Sequence, residues 1–326
     1  MSTAEVVWAA LSRRAPAPPG SARRLLDGRA EGLPGWTVDR YGPVALIQSF
    51  GAQGAEAATL SELTAALLDL PDIACAVLKE RGVRQGDRGE GRVLAGVLPG
   101  PDERDPLASR AGRFVIHEGD LRLGVDLLYG VNTGLFLDAR PMRRWVQGHA
   151  RGLRVLNLFS YTAAFGVAAA VGGATSTTNV DLVPSALERG RANYALNDLP
   201  VDGRSHARDD VFDFLKRATR RGEQWDLVVV DPPPVPTSGR GRKGKGFDPR
   251  RDQHKVITRA LSVCADGGTV LAMSAAHGAA GFEEPLQRAL QDEPRTVAQE
   301  SLARDDDFPG PDGLRAVALR VGPTPT

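Results

Sequence analysis

Residues 154–197 read RVLNLFSYTAAFGVAAAVGGATSTTNVDLVPSALERGRANYALN. RVLNLF is short and apolar, as a buried strand is. AAFGVAAAVG has the composition of a closely packed helix, STTNVDL of a second strand, and VPSALERGRANYALNDL the apolar spacing of a second helix. A parallel strand pair needs a crossover, and a helix is its usual form. This stretch therefore predicts a parallel sheet with helices on both faces. Such sheets hold ligands outside the C-terminal strand ends, where the strand order reverses.

The alternation continues outward. PMRRWVQGHA predicts a helix before the quoted stretch. After it come SHARDD (strand), VFDFLKRATRRG (helix), WDLVVVDPPP (strand), QHKVITRALSVCADGG (helix, carrying Cys264), TVLAMSAA (strand) and GFEEPLQRALQDE (helix). Upstream, residues 1–20 read as a short helix and a Pro-rich linker. LLDGRAEGLPGWTVDRYGPVALIQSF reads as two strands, AATLSELTAALLDL as a helix, and IACAVLKE as a strand. Residues 85–110 read as loop. RFVIHEGDLRLGVDLL predicts a hairpin turning near 118–120. The expected architecture is α/β: a Rossmann-like doubly wound sheet over 111–326, behind a smaller α+β domain over 1–110.

The 326 residues are 42% hydrophobic and 25% charged with net charge +1, an ordinary globular balance without a field to recruit a polyanion. Contact with nucleic acid would rest on local patches. The two cysteines, Cys75 and Cys264, and the five scattered histidines have no metal-ligand spacing, so no metal is expected. Reduced thiols, no secretory segment and no membrane-spanning window predict a cytoplasmic protein.

The strand tips carry the candidate chemistry. The turn NLFSYTAAFG puts backbone amides at the crevice edge, with Asn157, Phe159, Ser160, Tyr161 and Thr162 as candidate ligand residues. Asp181, beside Leu182, ends the next strand, where a carboxylate can accept from both hydroxyls of a ribose. Asp210, beside Val211, is placed to accept from an adenine amino group. Asp231-Pro232-Pro233 follows the next strand. Any one of these acids can instead be a helix N-cap; together they would hold a nucleoside.

The quoted core resembles the class I S-adenosylmethionine-dependent ribosomal RNA methyltransferases, of the large-subunit cytosine-C5 and guanine-N7 type. NTGLFLDARPMR is similar to the segment before the core of that family, and AEGLPGWTVDRYG to its central domain. DDVFDFL and WDLVVVDPP match its third and fourth motifs. The resemblance implies methyl transfer to RNA, ribosomal RNA first, with S-adenosylmethionine as cofactor. Asp181 would hold the ribose, Asp210 the adenine, and Asp231 with Pro232 and Pro233 would close the pocket at the methyl end. Thr133, Gly134, Phe136, Asp138 and Arg140 would line the entrance.

The sequence departs from the family at four places. Ala163 and Ala164 stand where the turn carries paired glycines; alanine resists the positive φ that glycine allows, so weaker binding or a different loop is expected. Pro234-Val235 replaces an aromatic position, leaving Phe247 or Tyr161 as stacking candidates. Ala275, in LAMSAAHG, stands where the cytosine-C5 enzymes carry a cysteine. Carbon 5 of cytosine becomes nucleophilic only after a thiolate adds to the ring, whereas a nitrogen attacks the methyl directly. A nitrogen target is therefore expected. No counterpart of the family's N-terminal RNA-binding barrel is expected. RNA contact then falls on SGRGRKGKGFDPRR, with Arg240, Arg242, Lys243, Lys245, Arg250 and Arg251 on phosphates and Phe247 on a base. A small-molecule or protein acceptor, or a non-catalytic RNA-binding assembly factor, remains an alternative. The oligomeric state is open.

Overall fold

The computed structural model describes residues 2–14, 18, 20–50, 57–81, 90–203, 205–237, 246–275, 282–310 and 313–325. The chain forms two compact units, Met1–Leu137 with Asp305–Gly310, and Asp138–Arg304 with Pro311–Thr326.

The first unit runs α1 (Thr3–Ser12), β1 (Ala22–Asp27), α2 (Gly28–Glu31), β2 (Trp36–Tyr41), β3 (Val44–Phe50), α3 (Ala57–Leu68), β4 (Cys75–Arg81), β5 (Gly91–Gly96), β6 (Arg113–Glu118) and β7 (Leu121–Asp126). A reciprocal Ser2–Glu5 capping box starts α1. Strands β1 to β5 lie side by side in sequence order. All neighbours are antiparallel except β3 and β4, which α3 joins as a crossover. Val6, Val7, Leu26, Val38, Ile47, Leu63 and Leu67 form the core. Strand β5 falls in a stretch expected as loop. None of its residues is fully buried, so it shows no alternation of apolar residues to read.

The hairpin β6–β7 forms as expected, but it belongs to the first unit. The His117 amide donates to the Gly20 carbonyl at 3.1 Å, and Ser21 bridges to His117. This backward pairing moves the division from the expected 110 to Leu137/Asp138.

The second unit runs α4 (Arg140–His149), β8 (Arg154–Leu158), α5 (Ala164–Val171), β9 (Ser176–Asp181), α6 (Pro184–Leu196), β10 (His206–Arg208), α7 (Val211–Arg220), β11 (Trp225–Val230), α8 (Pro249–Ser262), β12 (Cys264–Ser274), α9 (Glu283–Leu290), β13 (Val297–Leu302) and β14 (Arg315–Val321). The sheet order is β10-β9-β8-β11-β12-β14-β13. Strands β10 through β12 of that order are parallel. Strands β14 and β13 are added antiparallel, an edge the sequence reading did not assign. Most of β13 is exposed and polar, which hides it. Leu156, Leu158, Val180, Val228, Val230, Val256, Ile257, Val270 and Ala272 are buried in this unit's core.

The chain leaves β8 toward β9 and β10, then returns to β11 on the other side of β8. The switch point therefore lies at the C-terminal ends of β8 and β11. Leu158 pairs with Val180 on one side and Val230 on the other, and Val230 with Ala272. The next row begins with Phe159, Asp181, Asp231 and Met273.

One expected placement is corrected. Helix α8 ends at Ser262, and Cys264 is the first residue of β12 rather than part of the helix.

Candidate cofactor site

The loop after β8 has an uncommon backbone. Phe159, Tyr161 and Ala163 have φ of 56°, 48° and 58°, three of the four non-glycine residues with positive φ among the described residues. Each such residue costs about 1–2 kcal/mol, and strain of this kind persists only where surrounding contacts enforce it. Ala163 thus takes the left-handed conformation that alanine resists, and caps the start of α5 from it. Ala164 is an ordinary first helical residue.

The enforcing contacts come from two sides. The Ser160 amide donates to the Val180 carbonyl at 3.0 Å. The Asp181 carboxylate accepts the Tyr161 amide at one oxygen and the Val183 amide at the other, both at 2.8 Å. Burial pushes the Asp181 carboxyl above its ordinary value, against the pull of the Val183, Tyr161 and Leu182 amides. From α6, Asn193 Nδ2 donates to the Thr162 carbonyl at 2.9 Å. Arg189 Nη1 donates to the Tyr161 hydroxyl at 3.2 Å.

A buried polar network lies beneath. Asn157 Nδ2 donates to Asn179 Oδ1 at 2.9 Å, Asn179 Nδ2 to the Tyr194 hydroxyl and the Ser205 carbonyl at 2.9 Å, and Tyr194 meets Thr177 at 2.6 Å. Among the described residues, Asn157 Oδ1 and Ser160 Oγ are buried without a hydrogen-bond partner. Buried polar atoms of this kind are rare and call for a partner. They fit a polar ligand lying against the loop.

Asp210 is the N-cap of α7. Its Oδ1 accepts the Phe212 and Asp213 amides at 3.0 and 3.2 Å, so the capping alternative holds for that oxygen. Val211 is core. Asp231 follows β11 and is partly buried. Its carboxyl is pushed up to about 7 by burial and by Asp138, with Arg143 acting in the opposite direction. Pro232 beside it is buried, while Pro234 and Val235 are exposed.

The expected entrance residues fall on both sides of the division. In the first unit, the Thr133 hydroxyl is 3.0 Å from the Tyr41 hydroxyl and donates to the Leu135 carbonyl, Gly134 has φ 106°, and Phe136 is exposed. In the second, Asp138 lies in a 3-10 turn (Leu137–Ala139) and Arg140 starts α4; both are partly buried.

The flap is only partly described. Arg240, Arg242, Lys243 and Lys245 lie outside the described residues. Its stem is tied where Thr237 and Phe247 exchange bonds at 2.9 Å. Phe247 packs inward, its ring 5.1 Å from Phe159 and 6.4 Å from Phe212, so it is core in this conformation rather than a free stacking ring. Arg251 bonds Asp252 and the Gly246 carbonyl; Arg250 is exposed.

Ser274 and Ala275 sit at the site end of β12. Gln253, buried on α8, fixes this tip by donating to the Met273 carbonyl at 3.0 Å and accepting from Ser274 at 3.1 Å. Cys264 starts the same strand, roughly 25 Å away at strand rise once the bulge between Cys264 and Thr269 is allowed for. Burial pushes its thiol up to about 12. Cys75, in the first unit, is also buried with a raised value.

Sequence reasoning missed Gly166, Asn179, Gly190, Asn193 and Gln253. The available signal was polar or small residues on the apolar faces of α5, α6 and α8, and a polar residue inside β9.

A family model described as S-adenosylmethionine-dependent methyltransferase matches residues 106–320. The chain belongs to that family. S-adenosylmethionine is the family's cofactor, and the doubly wound sheet is its fold. A ribosomal RNA large subunit methyltransferase I from Erwinia tasmaniensis is 38% identical over 210 residues, 64% of this chain and 50% of that one. YwbD of Bacillus subtilis, provisionally named a ribosomal RNA large subunit methyltransferase, is 30% identical over 92% of this chain and 74% of its own length. The chain therefore spans from half to three quarters of these relatives. A protein provisionally described as a methyltransferase and crystallised with SAH is 27% identical with a TM-score of 0.81, covering 98% of this chain and 81% of that one.

Proposed function

We propose that this methyltransferase modifies a ring or exocyclic nitrogen of a base in ribosomal RNA, in the cytoplasm. The RNA acceptor is supported by the names of the relatives above. The choice of nitrogen is carried by one observation: Ala275 occupies the tip of β12, and Cys264 is buried at the far end of the same strand. A cytosine-C5 route requires a thiolate in the site.

The residues present fit the cofactor. Asp181 would accept the ribose hydroxyls, and Asp210 has Oδ2 available for the adenine amine. Ser160 Oγ and Asn157 Oδ1, both buried without a partner, would face the rest. S-adenosylmethionine supplies an electrophilic methyl on a sulfonium. Asp231, ionised in part near neutral pH, would take the proton that a methylated nitrogen sheds, since a base works best with a value near the working pH. The proline corner holds Asp231 rigidly, because proline fixes φ. The cations of the flap would track phosphates. Among the described residues no helix is long and apolar enough to cross a membrane.

The test is methyl transfer from labelled S-adenosylmethionine to ribosomal RNA, followed by digestion to nucleosides. Label in a nitrogen-methylated base, abolished by ribonuclease pretreatment, is expected. Label on carbon 5 of cytidine, or transfer that survives ribonuclease, would reject the proposal.

A further inference from the structure

Alanine resists the left-handed conformation, yet Ala163 adopts it with φ of 58°. Beside the contacts from β9, one face of α6 holds it. Arg189, Gly190 and Asn193 meet Tyr161, Ala163 and Thr162 in turn. Asn193 is 1% exposed and donates to the Thr162 carbonyl at 2.9 Å. The Arg189 guanidinium lies 5.7 Å from the Tyr161 ring centroid and bonds its hydroxyl. Gly190 lets α6 approach: a Cβ built there would sit 3.1 Å from the Ala163 Cβ. The Thr162 carbonyl lies between two residues of positive φ, Tyr161 and Ala163. A hydrogen bond at that carbonyl fixes the 162–163 peptide, against which φ of Ala163 is set.

We propose that Asn193 is a positioning residue for the cofactor: it holds the strained loop in the conformation that binds S-adenosylmethionine, replacing the freedom that glycine would provide at position 163. Without the bond, the 162–163 peptide loses one of its ties, the Ala163 amide still donating to the Ser160 carbonyl at 2.7 Å, and Ala163 relaxes more readily toward negative φ. The Ser160 hydroxyl, buried without a hydrogen-bond partner in this turn, would then shift away from the ligand. The proposal rests on the cofactor assignment and not on the identity of the acceptor.

The test uses calorimetric titration with S-adenosylhomocysteine, which needs no acceptor. Asn193→Ala is expected to weaken binding about tenfold or more. Ala163→Gly, added to Asn193→Ala, is expected to restore most of the affinity, because glycine takes the left-handed turn without strain. A merely structural role predicts no such rescue. Asn193→Leu, similar in volume and unable to donate, replaces the alanine variant if that one does not fold. Equal losses with alanine and with glycine at 163, or unchanged affinity in both asparagine variants, overturn the proposal. If wild-type protein fails to bind S-adenosylhomocysteine at all, the cofactor assignment fails instead.

Discussion

Asp181 and Asp231 stand in the same row of the sheet, one strand to either side of β8. The register Val180–Leu158–Val230 fixes this, since each acid directly follows its member of that row. Two strand spacings separate them, about 10 Å. The two acids differ in what they hold. Asp181 accepts one loop amide at each oxygen, which leaves each oxygen a second lone pair. Asp231 has its carboxyl pushed up to about 7.

Asp181→Ala removes the acceptor proposed for the ribose and frees the Tyr161 amide. Hydrogen bonds to a charged group contribute about 1.5–3 kcal/mol, so affinity for S-adenosylhomocysteine should fall roughly ten- to a hundredfold. Calorimetry measures it. Affinity within twofold of wild type would remove Asp181 from the site.

Asp231 predicts a pH signature. Its value in the folded protein, about 7, lies above the ordinary 3.8. The folded state therefore favours the protonated form. Its stabilising contribution is complete below pH 3.8 and is lost as pH rises through 7. A sulfonium bound nearby favours the carboxylate. Affinity for S-adenosylmethionine should tighten between about pH 5.5 and 7.5, then level. S-adenosylhomocysteine, which lacks the sulfonium charge, should show little of this, and Asp231→Asn should abolish it. Identical pH profiles for both ligands would contradict the assignment.

Gly166→Ala tests the network beneath the loop. An added Cβ would sit 2.1 Å from Asn179 Oδ1 and 2.7 Å from the Tyr194 hydroxyl, atoms already held by Asn157 and Thr177. Alanine gains about 1 kcal/mol of helix propensity, but overpacking costs about 1–3 kcal/mol. A net loss of about 1–2 kcal/mol in urea denaturation is expected. A stabilised variant would show that the network gives way freely.

Neutralising Arg240, Arg242 and Lys243 together should weaken RNA binding and reduce the slope of log affinity against log salt by about 2–3. Cofactor affinity should not change. An unaltered slope would take the flap out of the RNA track.

The sequence showed the sheet and its acids because both are local. The strand–helix rhythm of 154–197 and an acid after an apolar run can be read without a partner. The α6 clamp was not legible, because Asn193 and Thr162 are 31 residues apart and nothing in ANYALN says which asparagine turns inward. The left-handed Ala163 was hidden for the same reason: its local preference is overridden by contacts from α6 and β9. The hairpin went to the wrong unit because its pairing with Gly20 and Ser21 is long-range. Phe247 looked like flap by composition, and only Phe159 and Phe212 make it core.

The most direct measurement is mass spectrometry of nucleosides from total ribosomal RNA of a strain lacking this gene. The account predicts that one nitrogen-methylated nucleoside declines, returns with a plasmid copy, and does not return with Asp231→Ala, while 5-methylcytidine stays constant. A specific loss of 5-methylcytidine would contradict it, since Ala275 then would not have excluded the carbon route.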